Sequence, residues 1–144
     1  MWFIEAAQKT KANKTAIWRL WTDVENWHVW DLDVEHAKLN GLFTAGSGGY
    51  LKPKGGPKAQ FVIDSCVELS SFTNLTKLPF CVMNFSHKMQ ERPDGLYVIH
   101  RVEMSGPLTF LFSKLLGKNI AKGLPHAVAS LVAKAEALGG IEAV

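Results

Sequence analysis

Two long segments of the chain alternate between apolar and polar residues and are joined by a strong turn signal. Residues 81–91 and 96–105 flank Arg92-Pro-Asp-Gly95, a tetrapeptide typical of tight turns. Placing residue 91 opposite residue 96 gathers the apolar positions of both segments on one face and sets His87 directly across from His100. Because a one-residue slip would invert both faces, turn and pattern together predict this register. The predicted inner face consists of Cys81, Met83, Phe85, His87, Met89, Leu96, Val98, His100, Val102 and Met104.

Before this hairpin the sequence predicts two short helices and otherwise strands. Asn13 is suited to cap a helix over about 14–21, and Asp23 a second short helix that reaches about Trp27. Residues 71–77 are polar enough to be an edge strand or a solvated segment. The other predicted strands are 2–9, 31–42, 47–54 and 58–69.

After Gly106-Pro107 the apolar residues recur at the spacing of an α-helix to about Leu138. Gly139-Gly140 is predicted to end this helix. Gly123-Leu-Pro125 predicts a kink or break within it, with Val128 and Leu131 buried in the second half. The first half has an apolar face formed by Leu108, Leu111, Phe112, Leu115 and Leu116. The predicted fold is therefore α+β: a curved antiparallel sheet of about six or seven strands, two short helices near the N-terminus, and a long C-terminal helix over the concave face.

Length and composition predict one globular domain over residues 1–144, with 47% hydrophobic and 20% charged residues. The net charge is +3, and the densest basic patch, residues 52–58, has no interleaved aromatics, so we expect a solvated hairpin tip and no nucleic-acid surface. No N-terminal signal is visible and no apolar run approaches the ~20 residues that span a bilayer, which predicts a cytoplasmic protein without membrane insertion. Cys66 and Cys81 lie in different predicted strands without CxxC spacing, so two reduced thiols are expected.

Glycines and tryptophans are both concentrated in particular stretches. Residues 41–49 are glycine-rich but match neither a phosphate loop nor a dinucleotide fingerprint, so no cofactor is predicted. All five tryptophans fall within the first thirty residues, and Trp18, Trp21 and Trp27 are expected to plug one end of the curved sheet. Trp30 stands at a helix-to-strand junction where a cavity mouth would open, and is therefore a candidate ligand contact.

Several structural motifs occur along the chain: residues 17–27, Trp30-Asp31, Gly41-Leu-Phe43 with Gly46, His87, Gly106-Pro-Leu108 and Leu124-Pro125 with the helix ending in Ala135-Glu136. In these residues the chain resembles the START-like (SRPBCC) superfamily, whose fold is also called helix-grip or Bet v 1-like, and it is most similar to polyketide cyclase/dehydrase-type bacterial members. The resemblance covers essentially the whole chain, and its motifs are structural rather than catalytic. It implies a hydrophobic cavity between sheet and helix for lipids, polyketides or other apolar molecules; some members catalyse cyclisation or dehydration, and many only bind or carry.

The histidine pair supports more than one hypothesis. His87 and His100 could hold a ligand carbonyl, could pass a proton, or could be core histidines bonded to each other, to backbone or to water. A metal site is not predicted, because no third protein ligand accompanies them.

The first functional hypothesis is binding or carriage of an apolar small molecule. The second is a cyclase or dehydratase acting on a polyketide-like carbonyl compound, with His87 and His100 as acid and base; the third is a homodimer formed through a sheet edge at 71–77. The predicted ligand-binding residues are Trp30, Met83, Phe85, His87, His100, Val102, Met104, Leu111 and Leu115.

Overall fold

The computed structural model describes residues 1–138; the predicted helix end at Gly139-Gly140 lies outside them. Seven strands form one antiparallel sheet in the order β1-β7-β6-β5-β4-β3-β2, curled around the long helix and the short N-terminal helices. The α+β helix-grip arrangement predicted from the sequence is confirmed. The elements are β1 (Trp2–Thr10), α1 (Lys14–Thr22), a 3-10 helix (Val24–Val29), β2 (Val34–Leu39), β3 (Gly48–Pro53), β4 (Ala59–Val67), β5 (Ser71–Leu78), β6 (Cys81–Arg92), β7 (Gly95–Ser105) and α2 (Thr109–Ala137).

The hairpin of β6 and β7 has the predicted register. Glu91 pairs with Leu96, and His87 pairs with His100. The inner face of β7 is buried from Leu96 to Met104. β6 buries its inner residues except in the middle of the strand and at Glu91 near its end. Turn chemistry and apolar alternation were therefore sufficient to align the two strands.

The two N-terminal helices differ in how their first turns are capped. The Asn13 side chain accepts a hydrogen bond from the backbone N–H of Ala16 at 2.9 Å, as expected of an N-cap. The segment after Asp23 is a 3-10 helix, and the Asp23 carboxylate bonds the side chain of Asn26 rather than a backbone N–H. Ile17 and Trp21 are completely buried, which anchors α1 against the sheet.

The prediction that residues 71–77 form an edge or solvated segment is wrong. β5 lies inside the sheet between β4 and β6, and the edges are β1 and β2. The polarity that suggested an edge comes partly from Asn74 and Thr76, which point inward and are buried. A dimer formed through this strand is therefore ruled out, because both of its sides are already paired.

The predicted break near Pro125 is also absent, since α2 continues through this residue as one helix. A proline inside a helix costs about 3 kcal/mol. Full burial of an aliphatic side chain contributes about 1.5–3 kcal/mol. Val128 and Leu131 are buried as predicted, and their burial together therefore offsets the cost of Pro125 inside the helix. Within residues 1–138, no helix is both long and apolar enough to cross a membrane.

Gly106 joins β7 to α2 at a position that no other residue suits. Its φ is +117°, and a Cβ there would lie 2.6 Å from the carbonyl oxygen of Phe80. Gly41 also has a positive φ, but nothing lies within 4 Å of its added Cβ. We expect Gly106→Ala to lower the free energy of unfolding by at least about 1 kcal/mol more than Gly41→Ala, measured by urea titration. Equal losses would show that the contact with Phe80 carries no cost.

Candidate functional site

The concave face of the sheet is unevenly covered. α2 packs mainly on β1 and β7 and against α1. On the inner face of the central strand β6, Phe85 and His87 are only partly buried, whereas Met83 and Met89 on either side of them are buried. The middle of β6 is thus less covered than the residues on either side of it, and this part of the concave face is the candidate site.

The candidate site lies between two apolar clusters. One is built around Trp21, Phe72 and the C-terminal half of α2. The other contains Met83, Val102 and Met104, packed against residues of the first half of α2. His87 and His100 occupy the register position between them.

His100 is buried and its proton position is fixed by α1. The indole Nε1–H of Trp21 donates to Nε2 of His100 at 3.2 Å, so the remaining ring proton resides on Nδ1. Burial, with a smaller contribution from His87, holds the pKa of His100 well below its ordinary value of 6.5. The ring is therefore a neutral imidazole at neutral pH.

His87 has the opposite arrangement of donor and acceptor. Its Nδ1 lies 3.4 Å from the carbonyl oxygen of Phe72, which can only accept, so Nδ1 bears the proton and Nε2 carries the lone pair. The ring stacks on that of Phe72, with centroids 4.0 Å apart and planes within 3°. Burial lowers the pKa of His87 to about 3, against the opposing effect of the Phe72 carbonyl.

Together the two rings present one donor and one acceptor. Their centroids are 4.7 Å apart and their planes are inclined by 74°. Within residues 1–138 no hydrogen bond joins them, and none engages Nδ1 of His100 or Nε2 of His87. The pair is therefore set to bond a group that can both accept and donate, such as a hydroxyl, or two adjacent polar atoms.

Four buried side-chain polar atoms in the described part of the chain have no hydrogen-bond partner, and those of Trp30 and Asn74 lie beside the histidine pair. Trp30 is 4% exposed, its ring lies 5.7 Å from that of His100, and its Nε1–H is unpaired. Asn74 is 5% exposed, faces Phe85 across the β5–β6 pair, and its Oδ1 is unpaired. A buried polar group without a partner costs about 1–3 kcal/mol, so each of these groups is a candidate ligand contact.

The wall around these groups carries no charge. Along residues 72–78, 81–89 and 96–104 the inner-facing residues of β5, β6 and β7 include no aspartate, glutamate, lysine or arginine. Glu91, at the end of β6 opposite Leu96, is paired with Lys14 at 2.7 Å. Among the described residues, no group of three His, Cys, Asp or Glu side chains is placed to hold a metal ion. Both cysteines in this range are free thiols.

The structure brings together most, but not all, of the residues chosen from the sequence. Trp30 and the six strand residues Met83, Phe85, His87, His100, Val102 and Met104 surround the same part of the interior. Leu111 and Leu115 do not join them, because they are 40% and 63% exposed on the outer side of α2. The helix instead contributes Phe112, Ile120 and Leu124.

Sequence reasoning missed Asn74, Thr76, Ile120 and Leu124. For the helix the signal was present: continuing the stripe of Val128 and Leu131 backwards by steps of three and four reaches Leu124 and Ile120. The predicted break at Pro125 separated the two halves and placed the first half in the wrong phase. The polar inner face of β5 had no such signal, since inward and outward polar residues look alike in a sequence.

Comparison with known proteins identifies the fold. No family model matches the sequence, and no curated protein matches it significantly. The di-domain ARO/CYC StfQ from the steffimycin biosynthetic pathway superimposes with a TM-score of 0.75 and 12% identity, over 96% of this chain and 52% of that one. Ara h 8.0201 matches with a TM-score of 0.68 and 9% identity, over 94% and 98%. This chain has the START-like, Bet v 1-like fold.

Two further solved structures have the same fold. Protein NE0264 from Nitrosomonas europaea matches with a TM-score of 0.71 and 12% identity, over 95% of this chain and 96% of that one. TTHA0849 from Thermus thermophilus gives a TM-score of 0.71 and 14% identity, over 94% and 98%. At these identities the likeness extends to the fold alone.

Proposed function

We propose that the protein binds an apolar small molecule on the concave side of the sheet beneath α2, and that His87 and His100 hold one uncharged polar group of it. The observation that carries this proposal is the histidine pair itself. Each ring has one nitrogen engaged by the protein and one without a protein partner, within an apolar wall. The similarity of the fold to Ara h 8.0201 and StfQ supports a ligand-binding scaffold.

The uncharged wall favours a neutral ligand group over an anionic one. A carboxylate placed beside His87 and His100 would have no cation to pair with unless one ring took up a proton. With the pKa of His87 at about 3, protonation at neutral pH costs about 1.4 kcal/mol for each unit of pKa that must be recovered. A hydroxyl, ketone or amide needs no such change.

A cyclase or dehydratase acting on a polyketide-like carbonyl compound is the alternative, supported by the fold match to StfQ. The same lowered pKa values count against it. A histidine that acts as a general acid does so as the imidazolium, and both rings are neutral imidazoles in the unliganded protein. Binding therefore accounts for the site with fewer changes than catalysis does.

The test is a matched pair of probes, 1-dodecanol and dodecanoate, titrated at pH 7.5 and followed by the fluorescence of the buried tryptophans. We expect the alcohol to bind at least about tenfold more tightly than the carboxylate. His87→Phe keeps the aromatic stack on Phe72 and removes the acceptor Nε2, so it should weaken alcohol binding about five- to tenfold. His126→Phe, at an exposed position on α2, is the matched control.

The possible outcomes separate the two parts of the proposal. Tighter binding of dodecanoate would overturn the neutral-group assignment while leaving the binding function intact. If neither probe binds, and native mass spectrometry of the freshly purified protein finds no adduct, the binding function itself is wrong.

A further inference from the structure

Four large apolar side chains are exposed where α2 begins and the β5–β6 turn reverses. Phe80 is 74% exposed, Phe110 64%, Leu115 63% and Leu111 40%. These four residues are called the apolar tip below. They contribute little to the interior, so the folded chain does not account for their apolar character.

The apolar tip is built into the fold rather than hanging from it. The backbone N–H of Leu108 donates to the carbonyl oxygen of Phe80 at 3.0 Å, which ties the turn to the start of α2. Gly117 packs against the ring of Trp2, the first residue of β1. In the two helical turns before Gly117, Phe112 packs inward on the cluster of Cys81 and Met104, whereas Phe110, Leu111 and Leu115 remain exposed at this end of the sheet.

Phe80 is unfavourable for the isolated protein in two respects. Its φ is +54°, a left-handed conformation that bulky residues rarely adopt and that glycine takes without strain. Its aromatic ring is also the most exposed of the tip side chains. A strained and exposed aromatic residue is explained if its side chain contacts a binding partner rather than the rest of the protein.

The surroundings of the apolar tip are basic. Residues 69–90 and 104–135 contain no aspartate or glutamate, and Lys114 and Lys118 lie on the exposed side of α2. Lys77 precedes the turn, and the β3–β4 turn at the same end of the sheet adds Lys54 and Lys58. The acidic residues of that end are Asp31, Asp33 and Glu35 before and in β2, and Glu103 near the end of β7. Asp33 lies against Gly123 of α2, Glu35 is paired with Lys52 at 2.6 Å, and Glu103 is paired with Arg101.

We propose that the apolar tip and its lysines dock the protein on the surface of a membrane that contains anionic lipids. Protruding apolar side chains reach the boundary between headgroups and acyl chains, and lysines around them attract anionic headgroups. An acidic protein would provide charge, but it would need a concave apolar surface to cover four side chains that point outward. The inference stands on the exposed surface and does not depend on the proposed ligand site.

The test is flotation of the full chain with vesicles of phosphatidylcholine alone and of equal parts phosphatidylcholine and phosphatidylglycerol, at low and high salt. We expect about tenfold more protein to float with the anionic vesicles at low salt, and much of this difference to vanish at high salt. Phe80→Gly should float several-fold less while its thermal stability is unchanged or raised, because glycine relieves the left-handed strain. Lys114→Glu with Lys118→Glu should abolish the preference for anionic vesicles.

Matched controls come from the opposite end of the sheet. Leu42 is 80% exposed in the β2–β3 connection, and Lys11 is exposed directly after β1. Leu42→Ser and Lys11→Glu should float like the unmodified protein. Absence of flotation with anionic vesicles at low salt would overturn the proposal, as would an equal loss in the tip variants and the controls. Binding to an acidic protein without vesicle binding would assign the surface to that other class of partner.

Discussion

Replacing Trp21 with alanine is expected to lower the free energy of unfolding by about 3–5 kcal/mol. Trp21 is completely buried, and its ring contacts those of Phe72, His87 and His100 at centroid distances of 5.6–5.9 Å. Its loss would open a cavity at the meeting point of α1 and three strands and would leave Nε2 of His100 without its donor. Since small domains are stable by about 5–15 kcal/mol, this one change would remove a large share of the total.

Two related variants identify the source of the loss. Trp18 contacts the edge of Trp21 at 6.1 Å but is only partly buried, so Trp18→Ala should cost clearly less in urea titrations. Trp21→Phe preserves much of the ring volume and removes the bond to His100, so its cost of about 1–3 kcal/mol measures that bond. A loss below about 1 kcal/mol for Trp21→Ala would mean that this aromatic cluster does not hold the helices to the sheet.

What the sequence predicted well depended on short-range signals that agreed with each other. The β6–β7 hairpin has a turn tetrapeptide and a strict alternation, and the two fix a single register. Asn13 combines a capping side chain with the apolar pattern of α1, and it caps as predicted. In both cases the signal lies within a few residues of the structure it determines.

What the sequence predicted poorly depended on contacts distant in the chain. Pro125 would end a helix in isolation, but burial of Val128 and Leu131 against the sheet carries the helix through it. Asn74 faces inward only because β5 is paired on both sides, and β4 and β6 must be placed before that is known. The bond that fixes the tautomer of His100 comes from Trp21, 79 positions away.

Acidification is expected to destabilise the protein from about pH 6.5 downwards, well before the exposed carboxylates are protonated. Burial holds the pKa of His87 at about 3 and that of His100 well below 6.5, while both rise to ordinary values on unfolding. At pH values between the lowered pKa of each folded-state ring and its ordinary pKa in the unfolded chain, the unfolded chain binds protons that the folded chain does not. Stability therefore falls with falling pH, by about 1.4 kcal/mol per pH unit for each buried histidine.

Asp31 acts in the opposite direction over part of this range. Burial raises the pKa of its carboxyl group to about 6 from an ordinary 3.8, although the backbone N–H of Asp33 bonds it at 3.1 Å. Between about pH 4 and 6 the folded chain thus holds a proton that the unfolded chain lacks, and the stability so gained is lost as the pH rises through 6. Asp31→Asn should therefore steepen the fall caused by the histidines.

The measurement is the free energy of unfolding by urea at intervals from about pH 7.5 to 5. His87→Asn retains a donor near the Phe72 carbonyl, and His100→Gln retains an acceptor near the Trp21 indole, so each removes a titrating ring while preserving its bond. Each should reduce the slope by up to about 1.4 kcal/mol per pH unit, and the double variant should nearly flatten it. His126→Asn, at an exposed position, should leave the slope as it is. An unchanged slope in the double variant would mean that water or a counter-charge reaches these rings in the folded protein, and the neutral pair at the centre of the proposed site would have to be abandoned.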